Sequence, residues 1–179
     1  MPAPNYSEQC CLSRLLSFNN FSAPKRFNSD FKWNYVTGIR KTFPKVCEDA
    51  YRLAEAFSNI GFKQGDMIAI WAPNSYEWYL MQCASAIAGC VLVNVNPAFQ
   101  KDELHYVLNK VPVKGLKLTL SLHLFLNLPM ILFLFDSGTY CFQSLFESGG
   151  TSEDVAHIKN LENIIEADDM FNISIHFCN

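Results

Sequence analysis

Residues 61–111, GFKQGDMIAIWAPNSYEWYLMQCASAIAGCVLVNVNPAFQKDELHYVLNKV, decide the fold class. Met67-Ile68-Ala69-Ile70-Trp71-Ala72 is an unbroken apolar run, the length and composition of a strand covered on both faces. Pro73-Asn74-Ser75 ends it, and Asn74 with Glu77 three residues on reads as a capping pair that opens a helix. That helix, Tyr76 to Ala88, carries Trp78, Leu80, Met81, Ala84 and Ile87 around most of its cylinder, so neighbours should cover it well. Gly89 stands where a left-handed C-terminal residue is wanted. Val91 to Val95 is a second strand, rich in β-branched residues, and Asn96-Pro97 breaks it. Asp102 and Glu103 then place negative charge in the first turn of another helix, with Leu104, Val107 and Leu108 as its apolar stripe.

Upstream, Thr42 is placed to cap a helix from Phe43 to Ile60, with Val46, Ala50, Leu53, Ala54 and Phe57 at helical spacing and Gly61 closing it. The order α, β, α, β, α predicts an α/β fold: a mainly parallel sheet with right-handed crossover helices. At 179 residues, half of them apolar, the chain is long enough to bury roughly 70% of its unfolded surface.

Fourteen basic against seventeen acidic residues, with no basic patch, exclude nucleic acid as a partner. Cys10, Cys11, Cys47, Cys83, Cys90, Cys141 and Cys178 show no CxxC spacing, which argues against a disulfide framework and against a zinc site. Residues 1–39 read as a leader. Their Ser-rich composition, with Arg14, Lys25 and Arg26 against Glu8 in the first part, fits either a mitochondrial transit peptide or an unstructured segment. Asn5, Asn20 and Asn172 lie in glycosylation sequons that, without a secretory signal, read as chance.

From Leu118 to Phe135 the chain is an irregular apolar segment of 18 residues without Asp, Glu, Lys or Arg. Its length meets the minimum for a membrane span, but Pro129 breaks it and His123 and Asn127 are polar. Leucines at every second position from Leu118 to Leu126 favour a strand, with Lys117 and Asp136 as flanks. Asp136 to Gly150, with three glycines, reads as a loop. Thr151-Ser152-Glu153-Asp154 opens a helix to Ala167, Asp168-Asp169 is a solvated turn, and Phe171 to Phe177 alternates as a final strand.

No catalytic constellation emerges. His105, His123, His157 and His176 have no metal-site spacing and no local serine or cysteine partner. Asp136-Ser137-Gly138-Thr139 and Glu147 to Ser152 superficially suggest phosphate loops, yet neither carries the following lysine such a loop uses. No catalytic, cofactor-binding or metal-ligating residue is assigned from the sequence.

Eight short stretches appear in order at sensible spacing: Arg40-Lys41-Thr42-Phe43, Arg52-Leu53-Ala54, Gly61-Phe62-Lys63-Gln64-Gly65-Asp66, Ile68-Ala69-Ile70-Trp71, Pro73-Asn74-Ser75-Tyr76-Glu77-Trp78, Ala88-Gly89, Asn94-Val95-Asn96-Pro97, and Glu103-Leu104-x-Tyr106-Val107-Leu108. Together they resemble the N-terminal subdomain of the adenylate-forming AMP-dependent synthetases and ligases. Among the branches of that family they resemble the medium-chain, mitochondrial acyl-CoA synthetases known as acyl-CoA synthetase family member 2. A weaker resemblance covers Gly149-x-Thr151-Ser152-Glu153-Asp154, Leu161-Glu162-Asn163, Asp168-Asp169 and Asn172-Ile173-x-Ile175.

The resemblance implies that residues 40–179 are a truncated N-terminal domain of that family. It implies ATP-dependent ligation of a medium-chain fatty acid to CoA through an acyl-AMP, with ATP, Mg2+ and CoA as the family's cofactors and a mitochondrial location, the cytoplasm being the alternative. The sequence reaches Asn179 without the family's phosphate loop or C-terminal catalytic lysine, so none of these cofactors is expected to bind productively and the chain alone is expected to be inactive. Two other readings stand beside this one: a non-catalytic chain that binds partners or self-associates through an exposed sheet edge, and a small membrane-associated protein anchored by residues 118–135.

Overall fold

A computed structural model describes residues 31–32, 40–121, 129–135, 138–150 and 170–174. The elements are β1 (Phe31–Lys32), β2 (Arg40–Lys41), α1 (Phe43–Asn59), β3 (Met67–Trp71), α2 (Tyr76–Ile87), β4 (Val91–Val95), α3 (Lys101–Lys110), β5 (Val113–Ser121), β6 (Pro129–Phe135), β7 (Gly138–Cys141), α4 (Phe142–Glu147) and β8 (Asn172–Ser174). β1 and β2 form a small antiparallel pair. The other strands make one sheet in the order β7-β6-β5-β3-β4-β8. The α/β architecture read from residues 61–111 is present: β4 and β5 both pair parallel with β3, and β8 pairs parallel with β4. β6 and β7 extend the sheet in antiparallel sense.

The apolar run of β3 serves both faces of the sheet. Ile68 and Ile70 point into a large cluster built with α1 and α2, including Leu53, Phe57, Leu80, Met81 and Leu92. Ala69, with Met67 and Trp71, points the other way, toward Val93, Val95 and Val107 of α3. Helices lie on opposite faces because the chain moves one way from β3 to β4 and back across β3 to reach β5.

Both long helices on the first face end alike. After α1, the Gly61 N–H donates to the Ser58 carbonyl and the Phe62 N–H to the Phe57 carbonyl. After α2, Gly89 donates to Ala86 and Cys90 to Ser85 in the same pattern. Gly61 and Gly89 carry the positive φ (103° and 69°) that this termination needs, as their positions in the sequence predict. The Phe57 and Phe62 rings meet edge-on at 5.7 Å, the apolar contact that accompanies such an end.

The helix starts differ from expectation. α2 is capped by Ser75, whose hydroxyl accepts from the Trp78 N–H at 3.2 Å, and not by Asn74. Ser75 has the extended backbone a cap requires, and this register places Glu77 one position short of a capping box. Thr42 does occupy the N-cap of α1, but its side chain makes no capping bond. α3 shows the reciprocal bond instead: the Glu103 carboxylate accepts from the Gln100 N–H at 2.7 Å.

The stretch read as a loop, 136–150, holds β7 and α4. Phe142 and Leu145, three residues apart, are buried against α1, which is enough to stabilise a helix too short to announce itself by periodicity. Gly149 is needed there because a Cβ would collide with the Arg52 carbonyl of α1. Pro129 opens β6 where a break was expected, the first residue of a strand being a position proline tolerates. Residues 118–121 and 129–135 belong to the β5–β6 hairpin, not to a helix, and among the described residues no helix is long and apolar enough to cross a membrane. Lys117, which precedes that segment in the sequence, lies fully buried within β5. The expected helix at 151–167, the turn at Asp168-Asp169 and most of the leader lie outside the described residues, as do 175–177 of the final strand.

Candidate functional site

Parallel α/β sheets bind ligands outside the carboxyl ends of their strands, where adjacent connections leave to opposite faces. By strand order that point falls between β3 and β5; the carboxyl edge beside it runs along β3 and β4, whose chains leave toward α2 and α3 respectively. The segments Ala72–Ser75 and Asn96–Gln100 line it. Asn96 shapes the second of these, its side-chain oxygen accepting from the Ala98 N–H at 2.9 Å. Both helix N-termini face this edge, yet Glu77 occupies the first turn of α2, and Asp102 and Glu103 that of α3. These carboxylates already satisfy the helix dipoles and oppose a phosphate at either end. The Trp71 indole N–H, at the carboxyl end of β3, is buried with no partner among the described residues.

Three polar clusters surround the core. In the first, Asp49 is buried and accepts from the Tyr76 hydroxyl at 2.5 Å and from Lys41 Nζ at 3.1 Å, while Lys45 Nζ lies 3.3 Å from its other oxygen. Burial pushes the Asp49 pKa up, but the hydrogen bonds from Tyr76 and Lys41 outweigh it and hold the carboxyl below its ordinary value. Burial and Asp49 together hold the Tyr76 phenol well above its ordinary value. The cluster ties β2 to the starts of α1 and α2.

The second is Lys117, opposite Ile70 in β5 and so on the α2 face. Burial lowers its pKa to about 8, opposed by the Glu77 carboxylate. The third joins α2, β4 and β8 through side-chain amides. Gln82 donates to Asn94 at 3.0 Å, Asn94 donates to Asn172 at 2.9 Å, and Asn172 donates back to Gln82 at 3.2 Å.

None of these carries an activated nucleophile. Burial raises the Cys83 and Cys90 thiols to about 11 and about 12, which keeps both protonated at neutral pH. Among the described residues no group of His, Cys, Asp and Glu could hold a metal ion. Of the histidines, His105 is exposed on α3; His123, His157 and His176 lie outside the described residues. Of the two loop-like runs, Gly138-Thr139 begins β7. Glu147 to Gly150 closes α4, its Gly150 N–H donating to the Glu55 carboxylate at 2.9 Å. An N–H given to a carboxylate is not free for a phosphate.

Sequence reasoning missed the buried lysine and the amide ring. The available signal was polarity at inward positions: Lys117 between Leu116 and Leu118, and Asn94 within Val91-Leu92-Val93-Asn94-Val95. Nothing local tells such a residue from a surface one; only the packing of the helices against that face does.

The chain resembles known proteins at the level of this scaffold. Medium-chain acyl-CoA ligase ACSF2, mitochondrial, is 49% identical in both Rattus norvegicus and Homo sapiens over 78 residues, 44% of this chain and 13% of either relative. A putative acyl-CoA synthetase of Bacillus subtilis, YngI, is 39% identical over 72 residues, 40% of this chain and 13% of that protein. The matches thus span about an eighth of these relatives' length. Among solved structures, the anthranilate CoA ligase AuaEII in complex with anthranoyl-AMP superposes with TM-score 0.52 at 20% identity, over 60% of this chain and 20% of that one, a likeness of fold. A Mycobacterium tuberculosis fatty acyl CoA synthetase gives 0.48 at 23% identity, over 60% and 21%. Residues 24–152 match the profile of the AMP-binding enzymes, well over half of the sequence, and the chain belongs to that family.

Proposed function

We propose that these residues form the N-terminal sheet wall of an ATP-dependent acyl-CoA ligase that joins a medium-chain fatty acid to CoA through an acyl-AMP. The observation that carries this is the 49% identity to the medium-chain acyl-CoA ligases over 78 residues. The same likeness supports a mitochondrial location over a cytoplasmic one. Adenylation needs N–H donors, cationic side chains and magnesium around the transferring phosphates. The acidic helix starts and the occupied Gly150 N–H offer no such arrangement. ATP, Mg2+ and CoA are therefore not assigned to any residue of this chain, and the 179 residues by themselves are proposed to be inactive.

Two assays test this. The purified 179-residue chain, given ATP, Mg2+, octanoate and CoA, is expected to release no pyrophosphate; fatty-acid-dependent release above buffer would overturn the scaffold role. The endogenous product, captured from mitochondria with an antibody to residues 43–110, is expected to form octanoyl-CoA. A captured product that makes no acyl-CoA would overturn the ligase reading.

A further inference from the structure

We infer that the side-chain amides of Gln82, Asn94 and Asn172 act as a register lock that docks strand β8 onto the sheet. Among the described residues β8 is the last strand of the parallel half, and it pairs with β4 over three positions: Leu92 with Asn172, Val93 with Ile173, and Asn94 with Ser174. Burial here is incomplete: Phe171, Asn172 and Ile173 are partly buried and Met170, just before the strand, is exposed. What apolar contact exists does not choose a register. Ile173 packs on the α3 face against a strand with Val91, Val93 and Val95 at every second position. A two-residue slip in either direction would keep Ile173 on that face and against a valine.

The amide ring removes that degeneracy. Each amide donates one N–H and accepts one, so the ring closes only when Asn172 reaches Asn94 on its own sheet and Gln82 on α2 together. It closes contacts 78 and 90 residues apart in sequence, between elements that no local propensity brings together. The aligned register leaves the Leu92 N–H donating to the Phe171 carbonyl at 2.9 Å, a backbone bond that reports docking directly. The lock is independent of any catalytic activity.

Hydrogen exchange of the full chain tests it, with the amides of Ile68 to Ile70 in the central strand as internal reference. Asn172→Leu keeps the branched four-atom shape of the side chain and removes two ring bonds. It is expected to speed exchange at Leu92 and Ile173 by about tenfold or more and to leave the reference amides unchanged. Unchanged exchange at Leu92 would show that Asn172 only fills space and would overturn the lock. If Asn172→Leu loses protection everywhere, Gln82→Met, which leaves the Asn94–Asn172 bond intact, decides. Acceleration confined to Leu92 and Ile173, on the order of threefold, supports the lock, and none overturns it.

Discussion

The two faces of the central sheet differ more than their shared strands suggest. On the α1/α2 face, two helices and α4 enclose a cluster that includes Leu53, Phe57, Ile68, Ile70, Leu80 and Leu92, most of them without solvent contact. On the other face, among the described residues, α3 is the one helix over Ala69, Val93 and Val95, and most of their neighbours, Trp71, Leu104 and Leu108 among them, are only partly buried. One run of sequence, Met67 to Trp71, feeds both. The difference teaches that a buried-strand pattern reports burial but not how thick the cover is. That depends on how many helices arrive at each face, which is a matter of topology. That thick face, on α1 and α2, also holds the buried charged groups found among the described residues, Asp49 and Lys117, where the surrounding structure shields or pairs them.

The largest expected effect contrasts the faces directly. Phe57→Ala should cost about 3–5 kcal/mol in urea unfolding, because Phe57 is fully buried and its surroundings relax only in part. Val107→Ala on the thin face should cost roughly 1–2 kcal/mol. Equal losses would break the contrast.

A smaller effect of opposite sign comes from Lys117→Met. A lysine whose folded pKa is lowered to about 8 from 10.5 holds its proton more weakly in the folded chain than in the unfolded one. The penalty is full below pH 8, shrinks as pH rises, and is gone above 10.5. The variant should therefore be more stable at pH 7 by up to roughly 3 kcal/mol, and its advantage should vanish across that window. A constant advantage at every pH would mean the gain is packing alone.

Tyr76→Phe probes the other charge on the thick face. It strips one hydrogen bond from the buried Asp49 and should cost about 1–3 kcal/mol at neutral pH. The loss should fade in acid: Asp49's folded pKa lies below 3.8, so its contribution is present above that value and disappears as pH falls through the folded pKa. Thermal melts at pH 7 and pH 3 measure both. Last, Ser75→Ala should cost about 1 kcal/mol and Asn74→Ala nearly nothing, a pair that separates the observed cap of α2 from the one its sequence first suggests.

The sequence alone carries the element types from Phe43 to Val111, because apolar period, glycine stops and β-branched runs are local signals. It determined the two glycine helix ends and the parallel order for the same reason. The cap of α2 slipped by one residue, since Asn74 and Ser75 are both good caps and only backbone geometry separates them. Residues 142–147 look like loop in the sequence because six helical residues hold too little periodicity; their burial against α1, from Phe142 and Leu145, is what makes them regular. The unequal cover of the two faces, the buried state of Lys117 and the ring of Gln82, Asn94 and Asn172 were decided by tertiary structure alone. Each depends on segments far apart in the chain meeting at one place, and no window of sequence contains that information.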